Sequence, residues 1–354
     1  MREVVIAGLG QIPVGEHWDV SLRSLAARAM LAARHEAGMD LKPQALYVGN
    51  MLASTVSHQS NLGALLADNT GLTGIEAFTV EAADASGAAV FRMGYLAVAS
   101  GFVDTVLVVG VEKYTDMVGS GLESAVSEMV DYDWEAVEGL TPTSQAGLLM
   151  QRYLYEYRPP RQAFAAFPLL AHANGAGNPN AMYRKAIKPE VYAGAEPVCD
   201  PLNLFDIAPY ADGAAAVLLT SPDRIGADFA HPLVKVTGSA SVIDRLALHD
   251  RPDFLSFESA RLSIERACRM AGIMPQDVDF FELSDTSSIH AALTLEAAGF
   301  APRGQAAQLA ADGHFNLNGT LPINTLGGLK ARGHPLGATG MYQIVEATLQ
   351  LRGE

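Results

Sequence analysis

A layered α/β fold is predicted by three features of this sequence. Strand-like and helix-like segments alternate from Val4 onward, the pattern of strands joined by crossover helices in a largely parallel sheet. A helix whose first turn holds Asp84, Ser86 and Gly87 is apolar nearly all round beyond that turn, with Arg92 its only charge as far as Gly101. A helix without a polar face has to be buried, between two layers. The order strand, helix, strand, helix then repeats and ends on a glycine-rich turn, GHPLGATG at Gly333–Gly340, that opens a second apolar helix. Two similar halves follow from that repetition.

Val4–Ala7 reads as a buried strand, with Gly8, Gly10 and Pro13 behind it. A dinucleotide fingerprint would need a third glycine where Pro13 stands and a helix opening at once, so these residues form a simple turn. Ser21–Gly38 is an amphipathic helix: Leu22, Leu25, Ala26, Ala29 and Ala32 share a face, and Gly38 closes it. Ala45–Met51 is the next strand, and Leu62, Leu65 and Leu66 mark the next helix. A β-prone run from Phe78 leads through Ala83-Asp84-Ala85-Ser86-Gly87 into the apolar helix. Backbone N–H groups are unsatisfied at such a first turn, and the partial positive charge there suits a nucleophile or an anionic group. Thr105–Val111 is a further strand.

Between Glu112 and Leu140 the pattern breaks, with eight acidic residues against Lys113 alone. Met150–Glu190 reverses the sign, with Arg152, Arg158, Arg161, Arg184, Lys185 and Lys188 against Glu156 and Glu190. A basic insertion in an acidic chain either holds an anionic ligand or balances the acidic loop, and charge alone leaves both open. His172, Asn174, Asn178 and Pro179 lie in a loop-rich piece of it. Regular structure resumes with a strand at Asp212–Thr220, a strand at His231–Ala240 and a helix at Phe257–Ala271. Val278–Leu283 is a strand ending in Ser284-Asp285-Thr286, Ser288–Ala298 a helix, and Met341–Leu351 the last helix. The first half adds two strands after its buried helix, whereas the second ends at Arg352-Gly353-Glu354. A second sheet short by two strands would leave an edge to be covered.

With 49% hydrophobic and 18% charged residues over 354 positions, the chain is a well-buried globular protein, large enough for two domains. A formal charge of −15 argues against a nucleic-acid partner or an anionic membrane surface. Cys199 and Cys268 give neither a disulfide framework nor metal-ligand spacing, so no metal is expected. The opening MREVVIAGLG enters a strand directly and no run approaches a membrane span, so a cytoplasmic protein is expected.

Four blocks in this order resemble the thiolase family, most closely the branch near the sterol-carrier-protein thiolases. VEAADASGAA (80–89) resembles the nucleophile motif, usually VEAACASGGA. HANGAGNPNA (172–181), with Arg184-Lys185, is similar to the acyl-CoA-binding loop domain. DIAPYADGAAAVLL (206–219) resembles the strand that closes the first half, and INTLGGLKARGHPLGATG (323–340) the block carrying the catalytic histidine. The resemblance implies duplicated βαβαβαββ halves in a five-layer αβαβα arrangement. Residues 1–111 with 201–228 would form the N-terminal half and 112–200 the inserted loop domain. Residues 229–354 would form a C-terminal half lacking its last two strands. It also implies reversible Claisen condensation or thiolysis, with a coenzyme A thioester as substrate or ligand and no covalently bound cofactor. The family is oligomeric, which implies a homodimer or a hetero-oligomer with a catalytic thiolase or an OB-fold-type accessory subunit. His334 matches the catalytic histidine, and His172, Arg184, Lys185, Asn324 and Gly337 are carried over as CoA-binding.

The chain departs from that pattern where acyl transfer needs it. Asp84 stands where a cysteine thiolate takes the acyl group, and Ser284 where an HDAF-like motif has its histidine. The sequence ends after QLRGE, before the family's second cysteine and oxyanion glycine. A carboxylate attacking a thioester would give a mixed anhydride, uphill and quickly hydrolysed, so ordinary thiolase turnover by this chain alone is not expected. Asp84 could still pair with His334 for proton transfer, or merely cap its helix. Three readings follow: a CoA-thioester-binding subunit of an acyltransferase complex, a non-covalent lyase working by retro-aldol cleavage or decarboxylation, and an acyltransferase completed by another chain.

Overall fold

The computed structural model of the chain describes residues 2–354. It opens with β1 (Val5–Gln11) and α1 (Leu22–Glu36), whose N-cap Ser21 accepts the Ser24 N–H. β2 (Ala45–Gly49) leads through the single turn α2 (Ala53–Val56) to α3 (Leu62–Asn69). β3 (Glu76–Val80) and α4 (Ser86–Ser100) flank the Asp84 turn, and Gly101 ends α4 in the left-handed region. β4 (Thr105–Glu112) and α5 (Ser120–Val126) follow. The segment expected as loops is largely helical: α6 (Pro142–Tyr157), started by a Thr141–Ser144 capping box, α7 (Ala166–Gly175) and α8 (Pro189–Ala193). His172 and Asn174 therefore lie in the last turn of α7 and not in a loop. Then come the small hairpin β5 (Pro197–Cys199) and β6 (Leu202–Asn203), followed by β7 (Gly213–Thr220) and β8 (Val234–Lys235). The remainder is helical: α9 (Glu258–Ala271), α10 (Ser288–Ala297), α11 (Ala306–Ala311), α12 (Gly328–Arg332) and α13 (Thr339–Arg352).

The chain forms two compact units. The first comprises the chain up to Leu122 together with Tyr210–Ser239 and Pro335–Glu354; the second comprises Glu123–Pro209 and Ala240–His334. The last helix, placed by the sequence reading in the second half, thus belongs to the first unit.

The first unit is built on one six-stranded sheet, in the order β3-β2-β4-β7-β1-β8. β2 runs parallel to β3 and β4, while β7 is antiparallel to β4 and β1, and β8 to β1. The sheet is mixed, not largely parallel. β7 arrives after a long excursion, so no crossover helix fixes its direction as one does for β2 to β4. Leu46, Val48, Leu107, Val109, Ala216 and Leu218 on one face pack with Leu25 and Met30 of α1 and Leu62 and Leu66 of α3. Removing such surface from water contributes roughly 25 cal/mol per Å². On the other face lie α4 and α13. A Cβ on Gly94 would sit 2.5 Å from Val108 Cγ2, and one on Gly110 would sit 2.8 Å from Met341 Cγ. α4 is buried along one stripe (Gly87, Val90, Gly94, Val98), while Ala88 and Met93 are exposed. The expectation of burial all round is corrected: within this unit α4 is an outer layer, with the sheet beneath it.

The second unit has a helical core. Tyr153 of α6, Phe167 of α7, and Ile289 and Leu293 of α10 meet Phe164, Phe315 and Leu321. The strand predicted at Val278–Leu283 is reduced to one parallel bridge, Phe281 to Ile323. The one predicted at His231–Ala240 narrows to β8 in the first unit. A strand's hydrogen bonds lie outside itself, and a pair without further neighbours is marginal. α9 forms as predicted, yet none of its residues is fully buried. Among the described residues no helix is long and apolar enough to cross a membrane.

Candidate functional site

In the first unit the carboxyl ends of the parallel strands β2, β3 and β4 share one sheet edge, where open α/β sheets place their ligands. Asp84 follows β3. It is half-buried and stands one residue ahead of the N-cap, Ala85, so it is not the helix cap. The turn is closed by Ser86, whose Oγ accepts the Ala82 N–H at 2.9 Å and donates to the Ala83 carbonyl at 2.6 Å. Gly87 lets the head of α4 meet the head of α13, since a Cβ there would lie 2.9 Å from the Gly337 carbonyl oxygen and the Met341 nitrogen.

Glu112 ends β4 on the same edge. Its carboxylate is buried and accepts the Asn50 amide at 2.7 Å, the Met51 and Leu52 N–H groups at 2.9 and 3.1 Å, and the Gly337 N–H at 3.2 Å. Gly337, a predicted CoA-binding position, is thus buried with its N–H on Glu112. Burial pushes the Glu112 carboxyl up to about 7 against the pull of these donors. Asp212 lies at the start of β7. It accepts Tyr114 N–H at 2.8 Å, Thr115 N–H at 3.0 Å, the Thr115 hydroxyl at 2.7 Å, His17 N–H at 3.1 Å and Lys113 Nζ at 3.2 Å. Burial raises its pKa, but these donors outweigh it and hold the carboxyl below the usual range. The Tyr114 ring meets that of Tyr210 edge-on at 5.7 Å, and its oxygen accepts the Ala211 N–H at 3.2 Å. Burial pushes the Tyr114 phenol far up, and Tyr210, Glu112 and Asp84 add to the shift. The sequence reading missed Glu112, Asp212 and Tyr114. The available signal was an acid set directly against an apolar run, as in VLVVGVE and ADGAAAVLL.

In the second unit, His334 is buried and its backbone N–H donates to the Pro209 carbonyl at 2.9 Å. Ser284 is half-buried, between buried Leu283 and Asp285. Asn324 is buried, with its amide oxygen accepting the Leu283 N–H at 2.9 Å, so this side chain ties the 281–285 segment to the turn before α12. The Asn174 amide donates to the Asn324 carbonyl at 3.0 Å, and the Asn178 amide to that of Leu326 at 2.9 Å. His172 is buried beside Tyr183, with ring centroids 5.9 Å apart, and its Nδ1 lies 3.2 Å from the Lys185 carbonyl. Burial and the Lys330 charge pull its pKa down. Lys330 is itself buried, donates to the Ile207 and Leu204 carbonyls at 2.6 and 3.2 Å, and is pulled down to about 8 by burial. Arg184 and Lys185 are exposed, and it is the Lys185 carbonyl that meets His172. Of the predicted site residues, Ser284, Asn324, His172, Arg184, Lys185 and His334 thus lie in the second unit, and Asp84 and Gly337 in the first. Among the described residues no group of three or more His, Cys, Asp or Glu side chains could hold a metal ion.

Comparison with known proteins agrees with this architecture. Residues 4–199 match the family model described as thiolase, N-terminal domain, and residues 240–354 the one described as thiolase C-terminal domain-like. The chain is 40% identical to the acetyl-CoA acetyltransferase of Methanothermobacter thermautotrophicus over all of this chain and 92% of that protein. It is 29% identical to the benzoylsuccinyl-CoA thiolase subunit BbsB of Thauera aromatica, over all of this chain and 90% of that one. A solved Ltp2-ChsH2(DUF35) aldolase matches at a TM-score of 0.84 and 26% identity, across 99% of this chain and 90% of that one. The fold is thiolase-like, and the chain belongs to the thiolase family.

Proposed function

We propose that this chain binds a coenzyme A thioester and serves as the thiolase-fold subunit of an acyl-CoA-transforming complex, without forming an acyl-enzyme of its own. One observation carries the reading: the residue that opens the turn into α4 is the carboxylate of Asp84, half-buried where the family motif has its cysteine. A thiolate exchanges thioesters at little cost; a carboxylate would form an anhydride that water destroys. Gly337, Asn324 and His334 keep the family's second block, and exposed Arg184 and Lys185 can meet the phosphates of the coenzyme. The relatives support a multi-chain assembly, since one is named as a subunit and another is an aldolase composed of two named components. The test is intact-mass analysis after mixing with acetyl-CoA. The native chain should stay unmodified, whereas Asp84→Cys should gain an acetyl group. Acetylation of the native chain would sink the proposal.

A second reading, non-covalent lyase chemistry, is favoured by the 26% identity to a solved aldolase. Here Asp84 takes the proton of a β-hydroxyl, the Cα–Cβ bond breaks to leave a carbonyl product and a thioester enolate, and the protonated carboxyl returns that proton to Cα. Release of a carbonyl product from a β-hydroxyacyl-CoA, lost in Asp84→Ala, would select this reading.

A further inference from the structure

α12 spans five residues, Gly328–Arg332, and hands the chain through Gly333 directly to His334. So short a helix cannot hold itself, and its first-turn N–H groups need an outside acceptor. Asp285 supplies one. Its carboxylate is buried, accepts the Leu329 N–H at 2.7 Å and also bonds the Lys330 N–H, while Arg332 on the same helix adds an opposite charge. Gly328 makes the approach possible. It lies at φ +54°, and a Cβ there would sit 2.6 and 2.7 Å from the two carboxylate oxygens of Asp285. The far end of the stretch is pinned as well. The Arg332 and Ala331 carbonyls accept the Met182 and Tyr183 N–H groups, both at 2.9 Å, and Ala208 N–H donates to the Thr286 carbonyl at 2.9 Å. The segment that receives the His334 N–H is thus tied to Asp285's own segment.

We infer that Asp285 is the positioning residue of His334: its carboxylate sets the place of α12, and α12 sets where the imidazole stands. The importance of this rests on the proposed role of His334, but its test does not. The variant is Asp285→Asn, which keeps the shape and removes the charge. Histidine ring chemical shifts are compared by NMR at one pH, with His334 assigned through His334→Gln. The His334 ring signals should move, while those of exposed His249 and His314 stay put. Turnover of acetoacetyl-CoA or β-hydroxybutyryl-CoA, where the native complex shows it, should fall on the order of ten- to a hundredfold at unchanged KM. If Asp285→Asn does not fold, Asp285→Glu keeps the charge and displaces the oxygens, and the same shift is expected. Unmoved His334 ring signals in either folded variant overturn the inference, whether or not the protein turns over any thioester.

Discussion

The two halves of the sequence carry similar alternations of strand-like and helix-like segments, yet the two units of the structure are built differently. In the first, β4 and β7 contribute eight fully buried residues each to a six-stranded sheet. In the second, the run Val278–Leu283 contributes one bridge, and the core is helical. The difference lies in where each element finds its hydrogen bonds. A helix satisfies its backbone internally, so α9 and α10 form wherever their sequences allow. A strand exists only if a neighbour completes its ladder. The units also hold buried charge differently. In the first, Glu112 and Asp212 are gripped mainly by backbone N–H groups. In the second, the buried acid Asp285 accepts the N–H groups of a five-residue helix that itself carries two buried cations, Lys330 and Arg332.

That contrast makes Asp212 the place to strike first. Asp212→Ala takes the acceptor from four donors and leaves Lys113 with Asp116 alone, and should destabilise the protein by about 3–5 kcal/mol in urea unfolding. A loss under 1 kcal/mol would break the view that this carboxylate anchors the sheet edge. Its folded pKa is depressed, so its contribution is present above the unfolded carboxyl value and is lost as pH falls through the folded one. Next comes Gly340→Ala. The added methyl would press on the Ala88 nitrogen and lie 3.0 Å from its Cα, wedging α13 away from α4 at a cost of about 1–3 kcal/mol, read as a lower melting temperature.

Two buried groups, one in each unit, should answer pH in opposite directions. Glu112 is raised from 4.5 to about 7, so the folded state binds the extra proton and stability falls as pH rises across that window. Lys330 is lowered from 10.5 to about 8, so the unfolded state binds the extra proton and stability rises with pH across that window. Each slope approaches about 1.4 kcal/mol per pH unit at most. Glu112→Gln should flatten the acid limb and Lys330→Met the alkaline one. If each variant flattened the other's limb, the assignment of these charges would be wrong.

Much of this was legible in the residues, and the remainder was illegible for physical reasons. Ser21, Gly38 and Gly101 mark helix ends because capping is local chemistry, and the apolar runs at 45–49, 105–112 and 213–220 are long enough to read as strands. The antiparallel entry of β7 between β4 and β1 depends on pairing across distant sequence, which no local period records. The helix α6 was readable: Thr141 and Ser144 form its capping box and Pro142 takes its first position, but its acidic neighbours masked the signal. Asp84 and His334 stood out because motif spacing survives around them. Asp285 did not, since an acid beside a serine reads as surface until the α12 N–H groups are seen upon it. Glu112 was hidden similarly, as the last letter of an apolar strand.

The smallest expected effect falls on the most exposed charges. Arg184 and Lys185 lie on the surface of the second unit, with their side chains in solvent. Replacing either by alanine should leave the melting temperature unchanged within about a degree. Coenzyme A binding, measured by calorimetry, should weaken about two- to fivefold per charge removed. The difference from the native chain should shrink in about 0.5 M salt, because exposed pairs are screened over a few ångströms there. A loss that ignores salt would mean that these side chains fill a shaped contact and do more than supply charge. Unchanged binding in the double variant would remove them from the site and leave buried His172 and its neighbours as the second unit's claim on the ligand.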